Sequence, residues 1–299
     1  MSLLAVGTLG YDTIETATER REDVLGGSAT HFAMAASLFG KLGLVSIVGQ
    51  DFQRVHLDLL RARGVDVGGV EIAPGETFRW TGRYGDDWNS RTTIETRLNV
   101  LARFDPVIPD AFRTAKFIFL ANATPAVQAK VLDQVEKPEF TMLDTMNLWI
   151  ETARADLMHL LRRVDAIVLN DEEARMLTGQ RNLIRAAGGV LGLGPRYVVL
   201  KKGEHGAFLF GGDTHFSLPA YPVEQVVDPT GAGDSFAGGF MGYLAETGRV
   251  DPKNLRKAML YGTVAASFCV QGFGVDSLVG RSRKDLDARY DELMSIVTV

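Results

Sequence analysis

The segment Asp228–Phe240 combines small residues, a carboxylate and the start of a predicted helix, and this combination suits the handling of an anion. Gly231, Ala232 and Gly233 carry little or no side chain, so their backbone N–H groups can approach a phosphate closely. The predicted helix adds unpaired N–H groups and the positive end of its dipole. Asp234 would repel a phosphate there unless it accepted a proton from an attacking hydroxyl. A tight turn with a capping residue is the simpler interpretation.

The run from Asp228 to Phe236 resembles the C-terminal signature of the ribokinase family of carbohydrate and nucleoside kinases, also called the PfkB-type family. The resemblance implies an ATP-dependent phosphotransferase that uses Mg²⁺ and acts on a primary hydroxyl. Asp234 would be the catalytic base, and the N–H groups of Gly231, Ala232 and Gly233 would stabilise charge on the transferred group. In some members of the family, residues matching Asp228 and Thr230 share in a monovalent-cation site, so K⁺ is a further candidate.

The predicted acceptor site lies in the first thirty residues. Gly26 and Gly27 precede a helix of small residues and resemble the family's N-terminal signature, where two glycines contact the sugar. His31 stands where an asparagine is usual; it could hydrogen-bond a hydroxyl or pack within its helix. Asp12 follows the first predicted strand and could be an ordinary turn residue. The family places here a carboxylate that binds two hydroxyls, which suits a vicinal diol.

The predicted nucleotide site uses residues from the middle and the end of the chain. Asn170 and Glu173 have the spacing of a helix capping box and also resemble the family's Asn-x-x-Glu motif, which organises Mg²⁺ through water. Lys201 or Lys202 could neutralise phosphate charge, and the sequence does not decide which of them faces the nucleotide. Asp144–Asn147 resembles the family's Asp-x-Asn segment, offset by one residue. The remaining ATP contacts implied by the resemblance are Thr230, Gly203, Gly272 and Gly274.

Short apolar runs alternate with helix-like segments along most of the chain, which predicts an α/β fold. We expect a three-layer sandwich with a mostly parallel central sheet, in a single domain spanning 1–299. Thr77–Arg97 instead alternates between polar and apolar residues and predicts a hairpin, with Thr13–Val24 as its partner. Ribokinase-like proteins cover the acceptor with a small β-lid, so lid segments are expected at about 13–24 and 70–104.

Composition limits the class of protein. The chain has 299 residues, a net charge of −5 and one cysteine, Cys269. An internal disulfide is therefore excluded, and we expect a cytoplasmic protein with neither a nucleic-acid nor a membrane partner. Trp80 and Tyr84 are expected to be exposed on the hairpin, where they would cover a substrate or form a homodimer through the lid.

The acceptor is expected to be a sugar, and a nucleoside is the main alternative. A sugar phosphate and a catalytically silent ligand-binding protein on the same fold are the less favoured alternatives. The side chains that would distinguish the acceptors are Asn99, Asn122 and His31 for a free sugar; Phe32, Phe104, Trp80 and Tyr84 for a nucleoside base; and Arg79, Arg83 and Arg97 for a sugar phosphate.

Overall fold

A nine-stranded, mostly parallel sheet forms the centre of the computed structural model, which describes residues 2–16, 19–85, 88, 91–212 and 214–298. Its strand order is β13-β12-β11-β10-β9-β8-β1-β4-β5, and β12 and β13 are joined antiparallel at one edge. The strands of the chain are β1 (Leu3–Val6), β2 (Gly10–Glu15), β3 (Arg20–Gly26), β4 (Leu42–Gly49), β5 (Val65–Ala73), β6 (Phe78–Tyr84), β7 (Arg91–Arg97), β8 (Phe117–Leu120), β9 (Phe140–Asp144), β10 (Ala166–Asn170), β11 (Tyr197–Lys201), β12 (Ala207–Gly211) and β13 (Thr214–Leu218).

Helices cover both faces of this sheet and create two hydrophobic cores. In β1, Leu3 and Ala5 belong to one core while Leu4 and Val6 belong to the other, as the alternation of side chains along a strand requires. Burial on both faces explains why the strands are continuous apolar runs in the sequence. The helices are α1 (Ser28–Ala36), α2 (Arg54–Ala62), α3 (Asp110–Arg113), α4 (Pro125–Leu132), α5 (Asn147–Thr152), α6 (Arg154–Leu161), α7 (Asp171–Thr178), α8 (Leu183–Leu191), α9 (Ala232–Thr247), α10 (Pro252–Cys269), α11 (Asp276–Val279) and α12 (Arg283–Val297), with 3₁₀ turns at Asn99–Arg103 and Gly203–His205.

The predicted sandwich architecture is confirmed. The carboxyl ends of β1, β8, β9, β10 and β11 all meet at one edge of the central sheet, because these strands are parallel. In open α/β sheets this edge is where ligands bind. Within the described residues, none of the helices is both long enough and apolar enough to span a bilayer.

A second, four-stranded sheet has the order β3-β2-β6-β7 and is called the small sheet below. The predicted hairpin is confirmed as β6 and β7, and β2 and β3 are its partners. The turn predicted at 85–90 lies largely outside the described residues, as do residues 17 and 18.

Three expectations about this region need correction. Residues 70–73 belong to β5 of the central sheet rather than to a lid, because they pair with β4. Asp12 lies within β2 of the small sheet rather than in a turn after β1. Neither aromatic side chain expected to be exposed is so: Trp80 is half-buried, and Tyr84 is 7% exposed because its hydroxyl lies 2.9 Å from that of Thr230. A covering role for the small sheet and the lid-mediated homodimer remain predictions.

Candidate active site

The first turn of α9 forms the predicted anion-binding loop. Its N-cap residue, Gly231, has φ 74°, a left-handed conformation that L side chains rarely adopt. A Cβ at Gly231 would also collide with the imidazole ring of His31. The sequence needs glycine here for both reasons, and the loop leaves Asp234 in the first turn of the helix.

Asp234 is surrounded by other charged groups. Burial raises the pKa of its carboxyl group well above the ordinary value of 3.8; the charge of Asp144 adds to this effect, and that of Lys201 opposes it. A Cβ at Gly233 would lie 2.7 Å from Nζ of Lys201, so the ammonium group lies directly against the loop. A base with a raised pKa is better matched to the proton of a hydroxyl than an ordinary aspartate is.

Lys201, rather than Lys202, is the lysine that faces the site. It ends β11, and although burial lowers the pKa of its ammonium group, the charges of Asp144, Glu173 and Asp234 raise that pKa above its ordinary value overall. Lys202 instead lies over the ring of Phe208, with Nζ 3.9 Å from its centroid. Adjacent residues of a strand face opposite sides, which explains the difference.

Asn170 and Glu173 form the expected capping box at the start of α7. The backbone N–H of Asn170 donates to Oε2 of Glu173 at 2.7 Å, and the backbone N–H of Glu173 donates to Oδ1 of Asn170 at 2.8 Å. Burial raises the pKa of Glu173 to about 7, while Lys201 opposes this shift and Asp144 adds to it. The box therefore holds a buried carboxylate beside the lysine.

The acceptor side of the site is built around Asp12. This residue is 5% exposed, and a Cβ at Gly26 would collide with its carboxylate. Burial raises the pKa of Asp12 to about 7; Asp228 adds to the shift, and a hydrogen bond from the Gly27 N–H opposes it. The diglycine thus lets a backbone segment close over the carboxylate and also donate to it.

The other predicted acceptor residues are less closely grouped. His31 is 1% exposed, its Nδ1 lies 3.7 Å from Sγ of Cys269, and its Nε2 has no protein partner. Burial lowers the pKa of His31 to about 4, so the ring is neutral at pH 7. Asn99 donates to the carbonyl of Thr77 at 2.9 Å. Asn122 accepts from Nε1 of Trp149 at 2.8 Å. The contacts of the two asparagines do not connect them to Asp12.

Asp228 ties three segments of the site together. It is fully buried; its Oδ1 accepts from the N–H of Thr230 at 2.8 Å, and its Oδ2 accepts from the N–H of Gly274 at 3.2 Å. The hydroxyl of Thr230 lies 2.9 Å from that of Tyr84, which links the small sheet to the catalytic loop. Both oxygens of Asp228 therefore have structural roles, and the monovalent-cation role of Asp228 and Thr230 stays a prediction.

The two remaining predicted nucleotide contacts lie in turns near this edge. Gly203 begins the 3₁₀ turn after β11, and Gly272 follows α10 near Ser277. Their contact with ATP stays a prediction.

Two charged residues of the site were given no role from the sequence, although the first of them lies in the segment that resembles the family's Asp-x-Asn motif. Asp144 ends β9 and is 6% exposed, and burial raises its pKa while Lys201 opposes the shift. Its position at the end of a parallel strand was the available signal. Arg91 begins β7, and its charge opposes the burial-raised pKa values of Asp12, Glu173 and Asp234. No sequence pattern separated Arg91 from the other arginines of the hairpin.

The residues around Asp144 fit a hydrated magnesium ion. Mg²⁺ prefers oxygen ligands and keeps several waters. Oγ1 of Thr145 and Oδ1 of Asn147 are buried without a protein partner, and the charge of Asp144 acts on the pKa of Glu173. In the described part of the chain, no three acidic, histidine or cysteine side chains form a ready-made metal cluster. A metal held partly by water and phosphates suits this donor set.

Comparisons with known proteins agree with this arrangement. The model of the pfkB family carbohydrate kinases matches residues 3–279. A cytidine kinase from Thermococcus kodakarensis is 33% identical over 248 residues, covering 81% of this chain and 87% of the relative. A nucleoside kinase from Burkholderia thailandensis, solved with inosine, has a TM-score of 0.79 at 20% identity and covers 98% of this chain and 99% of that one.

A structure from Escherichia coli, described as a putative ribokinase II in complex with ATP and Mg²⁺, has a TM-score of 0.80 at 19% identity. The match covers 97% of this chain and 99% of that chain. At such identities, the structures establish the fold, while the family match spans nearly the whole sequence. The chain therefore belongs to the pfkB family of carbohydrate kinases.

Proposed function

We propose that this protein uses ATP and Mg²⁺ to phosphorylate a primary hydroxyl of an acceptor that carries a vicinal diol. The observation that carries the proposal is the position of Asp234 at the positive end of α9, with Lys201 against the same loop and with the charges of Lys201 and Asp12 both acting on its pKa. Phosphate charge is favoured at that helix end. A diol is favoured at Asp12, whose carboxylate can accept two hydroxyl hydrogen bonds.

In the proposed reaction, Asp12 and the Gly26–Gly27 segment hold the acceptor diol. The carboxylate of Asp234 accepts the proton of the primary hydroxyl as its oxygen attacks the γ-phosphorus of ATP. A new oxygen–phosphorus bond forms, the bond from the γ-phosphorus to the β,γ-bridging oxygen breaks, and ADP leaves. The N–H groups of Gly231–Gly233 and the ammonium of Lys201 stabilise the negative charge that spreads over these oxygens.

Mg²⁺, held through water by Asn170 and Glu173, would neutralise charge on the phosphates. We propose the small sheet as the cover that excludes water from the acceptor hydroxyl, because Tyr84 already contacts Thr230 in the catalytic loop. K⁺ stays a candidate cofactor, and the homodimer and the cytoplasmic location expected from the sequence stay predictions.

A sugar and a nucleoside are both candidates for the acceptor, since both carry the diol that suits Asp12. The relative named as a cytidine kinase favours the nucleoside. A relative from Thermoproteus tenax named as a 2-dehydro-3-deoxygluconokinase is 30% identical over 274 residues. Its name supports a sugar acid, 2-keto-3-deoxygluconate, as an alternative acceptor. The sugar phosphate is less favoured, because Arg79, Arg83 and Arg97 are all paired with carboxylates.

The test is acceptor-dependent release of ADP from Mg-ATP across ribose, 2-keto-3-deoxygluconate, cytidine, uridine, inosine and adenosine. Asp234→Asn should lower kcat by about a hundredfold or more while ATP binding, measured by calorimetry, is kept. Asp110→Asn is the matched control, because its side chain is 94% exposed on the surface. An Asp234→Asn enzyme that keeps most of its kcat would refute the assignment of the base.

A further inference from the structure

The inner face of the small sheet, which looks onto the catalytic loop, carries the indole of Trp80 beside the acceptor carboxylate. Asp12 in β2 and Trp80 in β6 are direct partners in a parallel register. Partners in register point to the same face, and neighbouring strands lie about 4.8 Å apart. The indole of Trp80 and the carboxylate of Asp12 therefore stand side by side on this face.

Trp80 lies flat along the sheet rather than standing away from it. A Cβ at Gly82 would collide with the six-membered part of the indole, so the ring covers the glycine two residues further along the strand. Its Nε1–H donates to Oγ1 of Thr93 at 3.3 Å, which fixes the ring's orientation. One face of the indole is thus occupied by backbone, and a planar ligand group could stack on its other face.

Arg91 borders the same ring. It is the register partner of Tyr84, and Tyr84 reaches Thr230, so both side chains belong to the inner face. Its guanidinium carbon lies 5.5 Å from the centroid of the Trp80 ring, whereas Arg289 lies 3.5 Å from that of Phe268. Arg91 therefore lies over the face of the indole that Gly82 leaves open, in a loose cation–π contact. A base that stacks there would move the guanidinium towards the edge of the ring.

Arg91 also differs from the other arginines of the hairpin. Arg79 pairs with Asp23 and Asp51, Arg83 with Glu15, and Arg97 with Glu95. Among the described residues, Arg91 makes no ion pair with a carboxylate. Its charge nevertheless acts to lower the pKa values of Asp12 and Asp234. No carboxylate in the described part of the chain therefore occupies its N–H donors.

The other aromatic candidates for this role are unavailable. Phe32 is fully buried and stacks on Phe119, with ring centroids 4.1 Å apart. Phe104 is 7% exposed and packs in the core on the opposite face of the central sheet. Tyr84 is 7% exposed and its hydroxyl contacts Thr230. Of the four aromatic candidates, Trp80 is therefore the one that lies next to Asp12 with a face for a ligand.

We propose that the acceptor is a nucleoside, with its ribose diol on Asp12, its base stacked on Trp80 and a carbonyl oxygen of the base bound by Arg91. The inference rests on the proposed kinase function and specifies its substrate. In a nucleoside the base is attached to the carbon next to the diol, which matches the adjacency of Trp80 and Asp12 in the sheet. A free sugar has no planar group to cover the indole.

The carbonyl contact ranks the nucleosides. Cytidine, uridine and inosine carry a carbonyl oxygen on the base, and adenosine carries none. A charged hydrogen-bond donor can read this difference, because arginine binds such oxygens strongly. We expect the three carbonyl-bearing nucleosides to be phosphorylated roughly ten times more efficiently than adenosine, as measured by kcat/KM.

The test compares kcat/KM for cytidine, uridine, inosine, adenosine and ribose in the wild type and in three variants. Trp80→Ala should lower kcat/KM for the nucleosides roughly tenfold to a hundredfold, as expected for the loss of one stacked base, and should change the value for ribose by less than about threefold. Trp80→Phe should retain most nucleoside activity. Arg91→Met should remove the preference over adenosine.

Ile94→Ala is the matched control, because Ile94 is 49% exposed on the same hairpin. Melting temperatures of all variants separate misfolding from lost recognition. Equal use of ribose and nucleosides by the wild type, or an equal loss for both in Trp80→Ala, would overturn the inference. If no acceptor is phosphorylated, calorimetry with cytidine and inosine tests the proposed base site independently of the kinase reaction. Nucleoside binding that Trp80→Ala abolishes would support the base site while refuting the kinase, and absence of nucleoside binding would refute the base site.

Discussion

Asp12→Asn should make the protein more stable and a worse enzyme. The carboxyl group of Asp12 has a pKa of about 7 in the fold against an ordinary value of 3.8, because it is buried and lies near Asp228. Its protonated form is therefore favoured by folding. The stabilisation is fully present below pH 3.8 and is lost as the pH rises through 7.

The size of this effect follows from the two pKa values. Each unit of difference corresponds to about 1.4 kcal/mol, so the penalty of an ionised Asp12 grows by about 3 kcal/mol between pH 5 and pH 8. The amide introduced by Asp12→Asn would carry no charge, and its carbonyl oxygen could still accept from Gly27. The gain in free energy of unfolding for Asp12→Asn should therefore be about 3 kcal/mol larger at pH 8 than at pH 5.

Chemical denaturation at both pH values measures this difference. Asp51→Asn is a control of opposite sign, because hydrogen bonds from Thr77 and Arg79 outweigh its partial burial and lower the pKa of Asp51. That variant should lose stability at pH 8. The acceptor KM of Asp12→Asn should rise at the same time, since the amide replaces one of the two acceptor oxygens of the carboxylate with an NH₂ donor. A stability gain that does not depend on pH would refute the argument that the fold disfavours the ionised form of Asp12.

Three further outcomes are expected. The kcat/KM of the wild type should still be rising with pH above the range in which an ordinary aspartate has become fully ionised, because burial raises the pKa of Asp234 and only the ionised form accepts a proton; a rise that is complete within that ordinary range would contradict this. Gly231→Ala should lose most activity, whereas Gly248→Ala, which has φ 61° with nothing within 4 Å, should lose only about 1–2 kcal/mol of stability and remain active. Tyr84→Phe removes the contact with Thr230 and should raise the acceptor KM by up to about fivefold, corresponding to about 1 kcal/mol; an unchanged KM would show that this contact does not hold the small sheet closed.

Local patterns in the sequence were enough to predict the architecture. Continuous apolar runs predicted the buried parallel strands, and the alternation from Thr77 to Arg97 predicted the hairpin of the small sheet. The capping box at Asn170 and Glu173 was predictable because both partners lie within one helical turn. These features depend on neighbours that are close in the chain.

The charge arrangement of the site depends on contacts between distant segments, which the sequence alone does not reveal. The alternation of side chains in the sequence did not show whether Lys201 or Lys202 faces the site. The structure shows that Lys201 lies against the first turn of α9. The prediction that Tyr84 is exposed was wrong because the hairpin folds back onto Thr230, 146 residues further along the chain. Arg91 could be identified only from its register with Tyr84.

The charges around Asp234 link its ionisation to the binding of the metal. Five carboxylates, at positions 12, 144, 173, 228 and 234, have pKa values raised mainly by burial. The charge of Lys201 opposes the shifts at positions 144, 173 and 234, and that of Arg91 opposes those at 12, 173 and 234. A bound Mg²⁺ would lower the carboxylate pKa values, because a nearby opposite charge favours ionisation. We therefore expect metal binding to increase the ionised fraction of Asp234. Proton release on the binding of Mg²⁺ alone, measured by calorimetry in buffers of different ionisation enthalpy, should be lower in Asp234→Asn than in the wild type. Equal release in the two proteins would contradict this coupling.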